Sequence, residues 1–511
     1  MSASVSGGLL VGEKRKLRKV LRRIDLVLFT ACAMVSLDTI AFSASIGGEA
    51  LFWLAASFVF FLIPYGLLTA ELGSAFPVEG GPYEWARMSF GRLPAAVTAV
   101  LYWLCNPIWV GGTLAATAIA TLEAFFHHGE AYGTGAEIVF GLIFVWLTVG
   151  VAIAALRYGK WGPNVGTILK AIVAVLFTAL WIAYLAQGKH HGSIGVSDVK
   201  PSVTGFLALI GVLAFVWGGF EVSSNASEEM VDPQRDVPWM VVRAGAVGAV
   251  LYGLVILGTL LVIPKAQLSN VGGFTDAYER VAGVLGGSAA GVGKLVAVLI
   301  VLTLFSSGAV WLEGADRAQA VAALDGADPA WMGRFSSFGT PIAVNLASGV
   351  VGSVFVFLGF LLTKGKLADF FGVMIALTAS TATLAYLFVF PALVVLRRKY
   401  PQAHRPYRVP GGMLGAWACV ILTELVVVLT GVTLLWPGLI DGLMGRSYDI
   451  QANWGVSRAF FESVTLGSFA VLVLIGVVFW RIGERNRALG IAGEPEPVEV
   501  ETMAANAPEM G

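Results

Sequence analysis

Charge is what this sequence has least of. Only 13% of its 511 residues are Asp, Glu, Lys or Arg, about half the share of a soluble protein. Hydrophobic residues make up 57% before 62 glycines are added, and the mean hydropathy is +0.80. A water-soluble globule would have too little polar surface to cover such a core. Cysteine is nearly absent too: Cys32, Cys105 and Cys419 sit in apolar runs without metal-ligand spacing, which argues against a disulfide framework or a zinc site. The five histidines fall in connections, and no Gly-x-x-x-x-Gly-Lys-Ser/Thr run is present. No bound cofactor, nucleotide or metal is therefore expected, and a primary pump is disfavoured. Acids and bases number 33 each, so no global field draws in nucleic acid.

What the chain does have is a series of long apolar runs. Runs of this length suit helices and not the alternating strands of a barrel, so the expected class is an all-α integral membrane protein. Twelve candidate spans lie at about 24–48, 50–72, 94–126, 136–156, 163–187, 204–223, 237–264, 288–322, 341–362, 367–396, 412–437 and 462–482. Each reaches the roughly 20 residues needed to cross the hydrocarbon. With the N-terminus inside, 22 Lys and Arg fall on the cytoplasmic side and 8 on the other, while Lys170, Arg243 and Lys294 fall within spans. That excess predicts both termini in the cytoplasm of a multi-pass protein of the cell (plasma or inner) membrane. The basic cluster from Lys14 to Arg23 reads as a positive-inside anchor and not as a cleavable signal, because the apolar run behind it is too long. The acidic, Pro- and Ala-bearing tail reads as disordered.

Two spans do not look like continuous helix. The first carries Ser36-Leu37-Asp38-Thr39, then Ser43, Ser45, Gly47 and Gly48; the sixth carries Trp217-Gly218-Gly219-Phe220-Glu221, then Ser223, Ser224 and Asn225. A carboxylate at membrane depth needs a partner or a water-lined cavity, and so does unwound backbone. Interrupted segments five spans apart are a pointer to a transporter built of inverted repeats, whose half-helix ends offer N–H groups to an anion and carbonyls to a cation. An amino acid zwitterion carries both charges. A glycine pair alone more often marks close helix packing; the acid, the tryptophan and the matching break in the first span reverse that balance.

Lys170 lies about seven residues beyond Pro163 in the fifth span. A lysine at membrane depth is a functional-site hypothesis, since desolvation makes its charged form costly and lets it gain and lose a proton. The alternative is snorkelling to the interface. Weaker signals are Asn106, Trp103 and Trp109 in span 3, Ser306 and Ser307 in span 8, and Thr378, Ser380, Thr381 and Thr383 in span 10. Each is more often bonded to helix backbone than to a substrate.

Four stretches together resemble the amino acid–polyamine–organocation (APC) family of secondary transporters. They are Ala70-Glu71-Leu72 through Gly80-Gly81-Pro82-Tyr83-Glu84-Trp85; Phe215-Val216-Trp217-Gly218-Gly219-Phe220-Glu221 through Asp236-Val237-Pro238; Gly314-Ala315-Asp316-Arg317 through Gly339-Thr340-Pro341; and Arg405-Pro406-Tyr407-Arg408-Val409-Pro410-Gly411-Gly412. The resemblance implies a LeuT-like fold of twelve transmembrane helices. Spans 1–5 (24–187) and 6–10 (204–398) would be inverted repeats, and 412–482 would hold two peripheral helices, between a cytoplasmic N-tail (1–23) and C-tail (483–511). It implies a substrate lying against Ser36, Asp38, Thr39, Ile40 and Ala41 of the first break and Phe215, Trp217, Gly218, Gly219 and Glu221 of the second. The usual Gly-rich motif of the first break is replaced here by Asp38-Thr39-Ile40-Ala41-Phe42-Ser43. Asp38 either attracts a substrate ammonium, favouring amines, or ties down the backbone of its own break. Glu221 either touches substrate or, more in keeping with its position, ties its break to neighbouring helices. Lys170 is similar to the span 5 lysine of proton-coupled members.

The expected function is alternating-access transport of an amino acid, coupled to protons, across the bilayer, with polyamine or amine uptake or amino acid/amine exchange as the alternative. A membrane enzyme would need a convergent acid–base or nucleophile set, which Asp38, Glu221 and Lys170 do not make without a histidine or nucleophile. A channel would need a filter motif, and none is present.

Overall fold

The computed structural model describes residues 21–158, 161–189, 194–268, 270–337, 339–363 and 366–490. The basic N-terminal stretch before residue 21 and the acidic tail after 490 lie outside the described residues. Among those described, regular structure is helical, with one isolated parallel bridge between Leu21 and Met230.

In chain order the α-helices longer than 5 residues are α1 (Arg23–Met34), α2 (Asp38–Ala44), α3 (Glu49–Ala75), α4 (Gly81–Phe90), α5 (Arg92–Phe126), α6 (Thr134–Tyr158) and α7 (Trp161–Ala186). Then come α8 (Val203–Val216), a 3₁₀ segment Val222–Glu229, α9 (Pro233–Val262), α10 (Gly273–Ala282), α11 (Ala289–Leu324), α12 (Ile342–Leu362), α13 (Leu367–Leu384), α14 (Ala392–Lys399), α15 (Gly412–Leu435) and α16 (Arg458–Ala488). Among the described residues ten helical stretches are long and apolar enough to cross a membrane, or eleven if α1 and α2, bent by 53° at their junction, count as one. α8 is a shorter apolar helix. Apart from α4 and α10, which fall between them, these α-helices lie on the apolar runs of the sequence, and both expected interruptions are present: α1 ends before Val35, and α8 ends before Trp217.

Burial separates centre from rim. The most apolar part of α5 is 83% buried and that of the stretch beginning with α13 is 72%, whereas that of α16 is 17%. α5 touches α11, α12, α13 and α16, α1 packs on α9 and α7, and α15 packs on α8 and α13. α3 and α5 each contain one π turn, Phe58–Leu62 and Val110–Leu114. Such turns rotate the side chains after them relative to those before and occur often at functional sites.

The crossing of α5 and α12 depends on two glycines. A Cβ on Gly111 would lie 2.3 Å from the Gly352 carbonyl oxygen and 3.1 Å from its Cα, so the backbones touch. A neighbouring backbone cannot swing aside as a side chain can. Gly111→Ala should therefore force the helices apart at a cost of about 1–3 kcal/mol. A lowered apparent melting temperature of the purified protein is the expected readout; an unchanged one would mean the crossing is looser than this spacing.

Candidate functional site at two helix breaks

The first break follows from its residues. Ser, Asp and Thr at 36, 38 and 39 offer the backbone side-chain partners outside the helix, and Val35 turns to extended φ/ψ. The carbonyls freed at the end of α1 are met by donors from three other helices. The Lys170 ammonium on α7 donates to the Cys32 carbonyl, and the Trp311 indole on α11 donates to Ala33 at 2.9 Å. The Tyr252 hydroxyl on α9 sits 3.0 Å from the Met34 carbonyl and 3.2 Å from that of Ser36, while accepting the Ser36 N–H at 2.9 Å. Thr39 Oγ1 donates to the Ser36 carbonyl. Of the three bases within apolar runs, Arg243 and Lys294 are exposed and Lys170 is 1% exposed. Lys170 does not snorkel.

Asp38 opens α2 and is fully buried. Its carboxylate accepts from the Ser36 hydroxyl, from Trp109 Nε1 at 2.8 Å and from Thr113 Oγ1 at 2.7 Å. The π turn of α5 begins directly after Trp109 and contains Thr113, and both side chains reach one oxygen. No ion pair to Asp38 forms among the described residues.

At the second break Gly219 takes φ +128°, a conformation that L side chains rarely adopt, and a Cβ there would lie 3.1 Å from Met34 Cγ and 3.3 Å from Ala33 Cβ. The two breaks thus meet through Gly219. The freed N–H groups of Gly219 and Phe220 both donate to the Tyr65 hydroxyl at 3.1 Å, which itself donates to Glu221. Tyr102 and Tyr386 donate to the other Glu221 oxygen at 3.0 and 2.7 Å. Glu221 is therefore held by tyrosines of three different elements. The Trp217 indole donates to Ser57 Oγ at 2.8 Å. Rings connect the two carboxylates: Trp109 meets Phe215 and Trp311 edge-on at 5.7 and 6.4 Å, Trp311 lies 6.1 Å from Tyr102, and Tyr102 lies 6.4 Å from Tyr386.

The structure thus brings Ser36, Asp38, Thr39, Phe215, Trp217, Gly218, Gly219 and Glu221 to the meeting point of the breaks. Ile40 is buried beside them, whereas Ala41 faces the start of α10 at Gly273. Trp109 belongs to the site. Trp103 does not: it donates to Ser348, which donates in turn to another buried carboxylate, Asp316. Ser306, Ser307 and Ser380 bond helix carbonyls. Sequence reasoning missed Tyr65, Tyr102, Tyr252, Tyr386, Trp311 and Thr113. The available signal was a tyrosine deep in an apolar run, whose hydroxyl must find a partner there.

The face on which α1 begins is closed by ion pairs from the motif residues. Glu71 holds Arg397 at 2.5 Å and Arg405 at 3.3 Å and accepts the Val409 N–H. Arg317 lies inside α11, where it meets Glu229 at 3.1 Å and Glu79 at 3.3 Å. Arg23 meets Asp236 at 2.5 Å. On the opposite face a cavity of about 280 Å³ is lined by Phe42, Ser45, Leu207, Asp441, Tyr448 and Trp454 among others.

Comparison with known proteins agrees with this architecture. An uncharacterized transporter of Legionella pneumophila is 30% identical over 402 residues, covering 78% of this chain and 85% of its own. A probable agmatine/putrescine antiporter of Lactococcus lactis is 29% identical over 387 residues, covering 75% and 81%. A methylthioribose transporter of Bacillus subtilis is 26% identical over 366 residues, covering 67% and 72%. A mutant of the manganese transporter of Eremococcus coleocola superposes with a TM-score of 0.59 at 14% identity, covering 90% and 94%; a likeness at that identity is one of fold. The amino acid permease family model matches residues 21–444. On that match the chain belongs to the amino acid permease family, and it is a multi-pass membrane transporter.

Proposed function

We propose that the protein is a secondary active transporter that moves an amino acid or a related amine by alternating access and couples the movement to protons through Lys170. The supporting observation is the Lys170 ammonium on the Cys32 carbonyl, at the C-terminal end of a half-helix inside the protein. Carbonyls at such an end favour a cation, and here a titratable side chain supplies it. Loss of the proton removes that charge from the junction where α1 and α2 bend. The proposal includes twelve spans in a five-plus-five inverted repeat (24–187 and 204–398) with two peripheral helices (412–482), and both termini in the cytoplasm. It places substrate against Ser36 to Ala41 and Phe215 to Glu221.

The test is uptake into proteoliposomes under an inward proton gradient, with a panel of neutral, acidic and basic amino acids, GABA and putrescine. Saturable uptake of one class that collapses when the gradient is dissipated is the expected result. Label exchange from preloaded vesicles without gradient-driven accumulation would remove the coupling role of Lys170.

One observation favours amine exchange as a second reading. Two buried carboxylates, Asp38 and Glu221, have hydroxyl and indole partners but no ion pair among the described residues, and aromatic rings lie between them. Aromatic faces and carboxylates both attract cations. A relative named as a probable agmatine/putrescine antiporter is in keeping with this reading. Asp38→Asn tests it, because the amide is the same size and carries no charge. Loss of a carboxylate–ammonium attraction of about 1.4 kcal/mol or more raises the apparent KM for putrescine at least tenfold. An unchanged substrate preference in Asp38→Asn would instead make Asp38 a brace for its own break.

A further inference from the structure

A second cavity, of about 260 Å³, lies between α3, α8 and α15. Its walls are aliphatic and aromatic, and Ser57 is the sole hydroxyl among them. Its mouth lies between Phe60 and Leu425, which are 57% and 53% exposed, beside exposed Val59, Ile63, Ile421 and Val428. In a multi-pass membrane protein that surface faces hydrocarbon.

Water does not suit this space. A buried water needs two to four polar partners. Ser57 Oγ already donates to the Leu54 carbonyl at 2.9 Å and accepts the Trp217 indole at 2.8 Å. The other polar group in the wall, the Trp53 indole, donates to Glu49 at 2.8 Å. An empty space open to a hydrocarbon liquid forfeits dispersion contacts that a flexible chain supplies at once. We infer that this cavity is a binding site for one acyl chain of a membrane lipid, inserted between α8 and α15 until it abuts Ser57, the residue that holds the Trp217 indole from behind the cavity wall.

The position gives the site a consequence. Leu213 and Ile210 form the α8 wall, and Trp217 is the first residue of the second break. A chain lodged there packs against the last turns of α8 before the backbone unwinds. The occupied site braces the half-helix from the lipid side, and substrate meets the break from the interior.

Trp217 makes the site testable because it is only 1% exposed, so lipid in the surrounding annulus does not touch it. The full chain is reconstituted in nanodiscs of phosphatidylethanolamine and phosphatidylglycerol brominated at mid-chain. The Trp217 contribution is taken as the difference from Trp217→Phe. Quenching of most of that contribution is expected in the otherwise unaltered protein, with recovery in Ala56→Phe, whose ring fills the cavity from α3. Leu429→Phe fills it from α15 and serves if the first variant does not fold. Quenching that stays the same in a folded, filled variant would assign it to annular lipid only and overturn the site. So would no quenching of Trp217 at all.

Discussion

Lys170→Ala should abolish gradient-driven accumulation while leaving exchange between preloaded vesicles measurable. The energetics fix the size of the effect. A gradient of about two pH units supplies roughly 2.7 kcal/mol per proton, enough to concentrate a singly coupled substrate about a hundredfold. Without a group that gains and loses the proton, that ratio falls to one. Lys170 is positioned for this role because its ammonium is buried and donates to a carbonyl that the end of α1 leaves without a helical partner. The substitution also strips the Cys32 carbonyl of its donor, at a cost of about 1–3 kcal/mol. A structural defect alone would lower exchange and accumulation together, so the ratio of the two is the measurement that counts. Lys170→Arg adds a control: guanidinium stays charged at any accessible pH, so it preserves a donor but not a titration. Accumulation that survives in Lys170→Ala would move proton coupling elsewhere in the protein.

The same residue shows what a single sequence makes legible. An intramembrane lysine stands out because its cost in hydrocarbon is large, and the breaks stand out because Ser36–Thr39 and Gly218–Glu221 interrupt otherwise apolar runs. Both are local signals. The partners of these groups are not local. Glu221 is held by Tyr65, Tyr102 and Tyr386, which lie 156, 119 and 165 residues away in sequence. Each of those tyrosines looks like an ordinary member of an apolar helix until packing brings the three hydroxyls to one carboxylate. Thr113 has a second reason to escape notice, since a regular helix pattern does not announce the π turn that contains it and sets it beside Trp109. Arg317 misleads in the opposite sense. Its charge suggests the aqueous boundary, and only the convergence of Glu79 and Glu229 on it explains how α11 carries a guanidinium in its buried part.

Arg317→Met should in turn be the most destabilising substitution on the closed face. The guanidinium is 1% exposed and its two acidic partners are nearly as buried, and it also donates to the Gly339 carbonyl at 3.2 Å. Methionine matches much of the side-chain volume, so the loss is electrostatic and not a cavity. Removing one partner of a buried pair leaves charge behind in a medium of low dielectric, at a cost of about 3–5 kcal/mol. The surface pair Arg235–Asp232, at 3.9 Å with both side chains largely exposed, contributes about 0–1 kcal/mol by the same physics, and Arg235→Met is the internal comparison. The expected outcome is a large fall in apparent melting temperature for Arg317→Met and little change for Arg235→Met. Adding Glu229→Gln to Arg317→Met removes part of the stranded charge and should recover stability, because residues that share an interaction do not add independently. If the double variant is no more stable than Arg317→Met alone, the guanidinium is held by its backbone carbonyl and not by the acids. The three elements joined here, the loop before α4, the 3₁₀ segment after the second break and α11, would then be free to part without breaking an ion pair.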